Sequence, residues 1–284
     1  MTMKIAVVTG SSSGFGFLTA LELAKEGYTV LATMRNLTKG NALLKQAEEN
    51  ALEDLIILQE LDVTSEESIN RLKDVLLVMG RVDVLVNNAG FAGAGFIEEI
   101  PVSEYKAQFD TNVFGMISVT QAVLPLMRKQ KSGTIINMSS ISGRMGFPGL
   151  SPYAASKYAV EGWSECLRLE MNAFGVKVVL LEPGSFQTNI WSSGKQVTEM
   201  SQRPDSPYAA EMRKLEAYID SSAETYGDPL EIAKTITAIV RKKNPRFRYP
   251  IGKGVKLTIW LKDRVSWQLW ETIVKKMLNK AVLK

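Results

Sequence analysis

At 284 residues, with 45% hydrophobic and 23% charged side chains and a net charge of +4, the chain suits one large folded unit and lies outside disordered and collagen-like compositions. Its one cysteine, Cys166, excludes an internal disulfide and a multi-cysteine metal centre, and its place in a helical pattern reads as a buried structural thiol. There is no histidine, so proton transfer near neutral pH falls to other groups.

No uncharged run approaches the ~18 residues of a membrane span. The opening "MTMKIAVVTG" lacks the long apolar stretch and small-residue cleavage site of a signal peptide, so a cytoplasmic protein is expected. In chain order, "KIAVVTG" is a short apolar strand that ends in a glycine turn, and a helix follows over 15–26. Strand "YTVLATM" precedes a helix over 37–51, and strand "LIILQELDV" one over 65–79. Strand "VDVLVNNAG" leads to a helix over 103–129, "GTIINMSS" to one over 152–174, and "VKVVLLEPG" is the sixth strand. These strands are near-continuous apolar runs, the pattern of strands covered on both faces. The expected fold is α/β: a single-domain Rossmann-type doubly wound parallel sheet with helices on both faces. Its ligands would bind beyond the carboxyl ends of the strands.

The turn "TGSSSGFG" carries Gly10, Gly14 and Gly16 between the first strand and the first helix. Glycines there permit a tight turn and close approach of backbone to a pyrophosphate, which the helix N-terminus attracts. The turn lacks the Gly-Lys-Ser/Thr ending of a P-loop, which argues against an NTPase. About 20 residues on, where an acid would bind the ribose 2′-hydroxyl of NAD, the chain reads "ATMRN" with Arg35 and no acid. A guanidinium holds a 2′-phosphate that a carboxylate would repel, so NADP(H) is the expected cofactor.

The chain also carries Asp62 in "LDVT", "NNAG", Asn112 in "TNVFG", Ser140 in "NMSSISG", "YAASK" with Tyr153 and Lys157, and "PGSFQT". Together with "TGSSSGFG" these motifs, from about Lys4 to Thr188, resemble the short-chain dehydrogenase/reductase family. The stretch "GRMGFPGLSPYAASKYAVEGW" is most similar to the hydroxysteroid and retinol dehydrogenase branch. The resemblance implies catalytic roles for Asn112, Ser140, Tyr153 and Lys157. It implies cofactor contacts at Gly10, Ser12, Ser13, Gly14, Phe15, Gly16, Arg35, Asp62, Val63, Asn88, Ala89, Gly90, Tyr153, Lys157, Pro183, Gly184 and Thr188. It also implies that Asn112 holds a water linking Lys157 to solvent, that no metal takes part, and that the protein is a dimer or tetramer.

Tyr153 and Lys157, four apart, share a helix face, with Pro152 in the first turn and Ser151 as a plausible cap. A tyrosine with an unperturbed pKa near 10 must shift by roughly 3 units, about 4 kcal/mol, to work near neutral pH. An ammonium about 4 Å away supplies a comparable Coulomb energy. The Ser140 hydroxyl would steady the substrate oxygen. Taken singly, such a Tyr/Lys pair is most often a surface contact and Asp62 a helix cap; the ordered set is what points to carbonyl/alcohol oxidoreduction. Two rivals use similar parts: a non-catalytic NADP-binding redox sensor and a sugar-nucleotide epimerase.

The catalytic domain is expected to span 1–240, with a polar, turn-rich substrate loop at about 185–226. Trp191, Met200 and Tyr208 there, with Phe91, Phe96, Met145 and Phe147, suggest a lipophilic substrate. From Thr237 to Lys284 the chain has 13 basic and 2 acidic residues, a balance of +11 that leaves −7 on the rest. The segment 241–284, with Trp260, Trp267 and Trp270, packs on the domain or at an interface, or lies weakly on a membrane surface. No groove-reading motif accompanies the charge, so nucleic acid is not an expected partner.

Overall fold

The computed structural model describes residues 3–188, 194–222 and 226–282. Strands β1 (Lys4–Thr9), β2 (Tyr28–Met34), β3 (Ile56–Glu60) and β4 (Val84–Asn87) form the first half of the sheet. The short β5 (Ala92–Ala94) stands apart, and β6 (Gly133–Met138) and β7 (Val176–Pro183) form most of the second half. The short β8 (Lys195–Val197) pairs with β5, and β9 (Arg248–Ile251) closes the edge. The main sheet has seven strands in the order β3-β2-β1-β4-β6-β7-β9, all parallel. The doubly wound parallel fold is therefore present, with one strand more than the six expected. The extra strand, "RYPI", lies inside the basic segment and pairs with β7. Pro250 is acceptable there because an edge strand has one side free of ladder bonds.

Helices α1 (Gly14–Lys25), α2 (Asn41–Glu49), α3 (Glu66–Met79), α4 (Val102–Phe109), α5 (Met116–Gln130) and α6 (Ser151–Asn172) fill the crossovers. Beyond the sixth expected strand come α7 (Glu199–Gln202), α8 (Ala209–Ser222), α9 (Leu230–Val240), α10 (Val255–Lys262) and α11 (Trp267–Val282). Alternate strand residues serve opposite cores. Ala6, Val8, Val84, Val86 and Ile136 meet Leu23, Leu43 and Ile232 on one face. Val7, Leu85 and Ile135 meet Leu72, Leu76, Val123 and Met127 on the other. Burial on both faces is what makes the strands read as unbroken apolar runs.

Three local expectations are corrected. The single helix over 103–129 is α4 and α5 joined by a π-helical turn, Asp110–Gly115, which contains Asn112. Ser151 is not a cap: Leu150 precedes α6, and the Ser151 hydroxyl shares a 2.5 Å hydrogen bond with Tyr105. Cys166 is exposed, because the buried stripe of α6 runs through Val160, Ser164 and Leu167 and leaves it on the solvent side. No helix among the described residues is long and apolar enough to cross a membrane.

Candidate active site

Strand order reverses at β1, which pairs with β2 on one side and β4 on the other. This switch point opens a crevice at the carboxyl edge of the sheet. Thr9, the last residue of β1, reaches across it: its Oγ1 accepts from the backbone N–H groups of Asn88 and Ala89, each at 2.9 Å. In return Asn88 Nδ2 donates to the carbonyls of Thr9 and Gly10 at 2.8 and 3.1 Å. These bonds clamp the glycine turn to the loop after β4. Gly10 has φ +68°, and a Cβ there would lie 2.9 Å from Ala89 Cα; a Cβ on Gly16 would lie 2.3 Å from the Gly10 carbonyl oxygen. Ser13, preceding α1, makes no side-chain cap bond, so the first N–H groups of the helix are left for an anion.

A cleft of about 520 Å³ runs along this edge. Gly10, Ser12, Ser13, Gly14 and Phe15 form one side, and Asn88, Ala89 and Gly90 the other. At the far end Arg35, Asp62 and Val63 are joined by Lys39. Lys39 was missed by the sequence reading, although it sits one turn beyond Arg35 in the short 3-10 helix Leu37–Gly40. Asp62 does not cap α3, a role taken by Ser65. Partial burial acts to raise the Asp62 carboxyl, but bonds from the Thr64 N–H and hydroxyl, with nearby Arg35, outweigh it and hold the group below its ordinary value.

The cleft continues into a recess lined by Ser140, Tyr153, Lys157, Pro183 and Gly184; cleft and recess share Phe15, Asn88, Gly90, Phe91 and Thr188. Thr188 Oγ1 is buried without a hydrogen-bond partner among the described residues. A glycine cradle, free helix N–H groups, two cations at one end and an orphan hydroxyl at the other together fit an anionic dinucleotide. Two expected residues stand behind the walls. Gly16 is buried beneath the turn. Asn112 accepts from Phe91 N–H at 3.1 Å and donates to the Phe91 carbonyl at 3.0 Å and Ser156 Oγ at 3.2 Å.

The short chain dehydrogenase family model matches residues 4–198. The chain belongs to the short-chain dehydrogenase/reductase family. It is 45% identical over 279 residues to the uncharacterized oxidoreductase YusZ of Bacillus subtilis, covering 98% of this chain and 99% of that protein. It is 35% identical to a 3-ketodihydrosphingosine reductase of Bacteroides thetaiotaomicron, over 93% of this chain and 96% of the relative. Retinol dehydrogenase 8 of Bos taurus is 34% identical, over 86% of this chain and 80% of the relative, in keeping with the retinol dehydrogenase branch. Among solved structures, a short-chain dehydrogenase from Streptomyces avermitilis superposes with a TM-score of 0.81 at 34% identity, covering 97% of this chain and 99% of that one. ElxO with NADP bound superposes with a TM-score of 0.74 at 28% identity, covering 90% of this chain and 100% of that one.

Within this family member the electrostatics of the recess depart from the sequence expectation. Tyr153 was expected to have a lowered pKa; burial instead pushes it up to about 12, against a smaller lowering from its hydrogen bond with Ser140. Burial pushes Lys157 down to about 8, with Glu161 acting to raise it. The Lys157 ammonium donates to the Met138 carbonyl at 2.7 Å and lies 5.6 Å from the centre of the Tyr153 ring.

Gly194 and Gln196 line the cleft, and the chain from Ser201 to Tyr208 packs on the loop that follows β5. Phe96 stacks on Tyr208 at 4.7 Å, Tyr208 donates to Glu98, and Ser201 and Ser206 donate to Glu99. Met145 is not among the residues lining the recess but is fully buried with Val255, Ile259 and Trp270, and Phe147 packs on the same cluster. Met200 is exposed, and Trp191 lies outside the described residues.

Proposed function

We propose that the protein is an NADP(H)-dependent oxidoreductase that interconverts a ketone or aldehyde and an alcohol, working in the cytoplasm as a dimer or tetramer. The observation that carries this reading is the buried Ser140–Tyr153–Lys157 group opening into the same cleft as the glycine turn. A bound nicotinamide supplies or accepts the hydride. Tyr153 carries the proton on its phenolic oxygen, and Ser140, already bonded to it, offers its hydroxyl to the substrate oxygen as negative charge develops there. The Lys157 ammonium faces the phenol and offsets the charge left when the proton departs. Burial favours the neutral phenol of Tyr153, the form that donates in carbonyl reduction, and the same group takes the proton back in alcohol oxidation. Asn112 ties the loop carrying Phe91 to α6 and so holds the recess wall beside Lys157.

Arg35 and Lys39 are the residues for a 2′-phosphate, with Asp62 beside them for the adenosine. Reversing the charge in Arg35→Glu removes a charge-assisted contact worth about 1.5–3 kcal/mol. NADPH affinity should then fall by at least about tenfold, with NADH affinity little changed, as read by nucleotide fluorescence titration. Equal losses for both nucleotides would count against a 2′-phosphate site.

A lipophilic substrate is favoured by Phe15, Phe91 and Phe186 around the recess and by relatives named for 3-ketodihydrosphingosine and retinol, compounds that are mostly hydrocarbon. The C-terminal segment gives such an enzyme a route to a membrane surface. Trp270 is buried, but Trp260 and Trp267 stay half exposed, with Arg264 and Lys262 stacked over their rings. Aromatic rings flanked by cations suit an anionic lipid interface. The intact protein should co-sediment with anionic vesicles at low salt, and the Trp260→Ser/Trp267→Ser double variant should not. Wild-type protein left in the supernatant would end the membrane proposal.

A further inference from the structure

Lys157 is 7% exposed, its ammonium bonded among the described residues to the neutral Met138 carbonyl, and such burial carries a large desolvation cost. One helical turn further along α6 stands a second buried charge, Glu161, which is 5% exposed. Its Oε2 accepts from Arg248 Nε on β9 at 2.9 Å, while its Oε1 is buried with no hydrogen-bond partner among the described residues. Several charged groups surround this carboxylate. From β7 comes Glu182, 1% exposed, whose Oε1 lies 3.4 Å from Arg248 Nε and 3.2 Å from Arg144 Nη1. At the rim, Arg144 reaches Asp263 and Arg248 reaches Glu165. Two arginines thus balance the two buried carboxylates, with Lys157 a further cation on the cleft side.

We propose that Glu161 is a positioning residue for catalysis: its buried carboxylate, paired with Arg248 from the C-terminal segment, supports the Lys157 ammonium one helical turn away, behind Tyr153. The alternative is that Glu161 merely fastens β9 to α6 through Arg248. Two observations argue for more. A fastening bond needs one oxygen, yet the other is also buried and left unpaired. The two buried side chains also stand one turn apart on the same helix, where the Glu161 charge opposes the loss of the Lys157 proton. The C-terminal segment then has a part in the active site although it lines none of the recess: it supplies the cation that lets a carboxylate be buried beside Lys157. This inference rests on the reading of Lys157 as the partner of Tyr153.

The test follows Lys157 itself, so it does not need a substrate. The carbon-13 resonance of Lys157 Cε, assigned by its absence from Lys157→Met, is titrated in the wild type, Glu161→Gln and Glu161→Asp. Glu161→Gln keeps the shape and an acceptor for Arg248 but removes the charge. Its Lys157 midpoint should lie below the wild-type value by about one unit, and Glu161→Asp, with its charge drawn back toward the helix, should fall between the two. Wherever turnover is measurable, the alkaline limb of the reduction profile should move to lower pH by the same amount, an about tenfold loss at a pH above both midpoints. A midpoint in Glu161→Gln equal to that of the wild type overturns the proposal. If Glu161→Gln does not fold, an unmoved midpoint in Glu161→Asp overturns it. The reading it rests on fails separately, when Lys157→Met retains full turnover.

Discussion

Replacing Tyr153 by Phe is expected to remove carbonyl reduction while leaving NADPH binding close to wild type. The ring is 4% exposed and is kept by the substitution, so packing around it is preserved. Only the hydroxyl goes, and with it the proposed proton donor and the bond to Ser140. A positioned acid contributes about 10²–10⁴ in rate, and a loss of that size in kcat is expected. Ser140 keeps its own place, because its Oγ also accepts from the Ser142 N–H at 3.1 Å. The check pairs single-turnover kinetics with nucleotide titration on the same sample. A variant that binds NADPH and still turns over at near wild-type rate would mean that another group delivers the proton.

Lys157→Met should lose activity and gain stability, an opposition that follows from the direction of its pKa shift. Burial brings the lysine down from 10.5 to about 8, a cost of about 3 kcal/mol to the folded state at neutral pH. Below the folded-state pKa both states hold the proton and the folded protein bears the whole penalty. Between about 8 and 10.5 the unfolded chain binds more protons, so this contribution to stability rises with pH. Methionine removes the charge, at the loss of the bond to the Met138 carbonyl. The expected result at pH 7 is a Tm higher by a few degrees, together with a fall in kcat. The Tm advantage over wild type should shrink as the buffer is taken toward pH 10. A lower Tm at pH 7 would show that the lysine's packing and hydrogen bond outweigh its desolvation.

Much of this molecule can be read from its sequence because the informative residues are constrained in type. Strands β1, β2, β4, β6 and β7 are buried on both faces, which forces unbroken apolar runs. The glycines at 10 and 16 have no room for a side chain, and the Tyr153 and Lys157 spacing follows one helix face. What escaped the reading depends on packing that no local pattern encodes. Strand β9 is mostly half-exposed and contains Pro250, so "RYPI" looks like tail until β7 is seen beside it. The π-helical turn at Asp110–Gly115 is a local widening within one continuous helical stretch, which no sequence pattern marks. The pKa of Tyr153 was misjudged because spacing gives the distance to a cation but not the depth of burial. Arg248 and Glu161 are 87 residues apart and meet only in the fold.

The most direct test of the central reading is NADPH consumption by the purified wild-type protein against a panel of ketones and aldehydes, from small polar ketones to long-chain 3-ketones, ketosteroids and retinal. Turnover is expected, faster with the lipophilic members and with NADPH over NADH, and abolished in Tyr153→Phe. NADPH that binds tightly and is not consumed with any of these carbonyls would contradict it, and would point instead to a nucleotide-binding sensor built on the same fold.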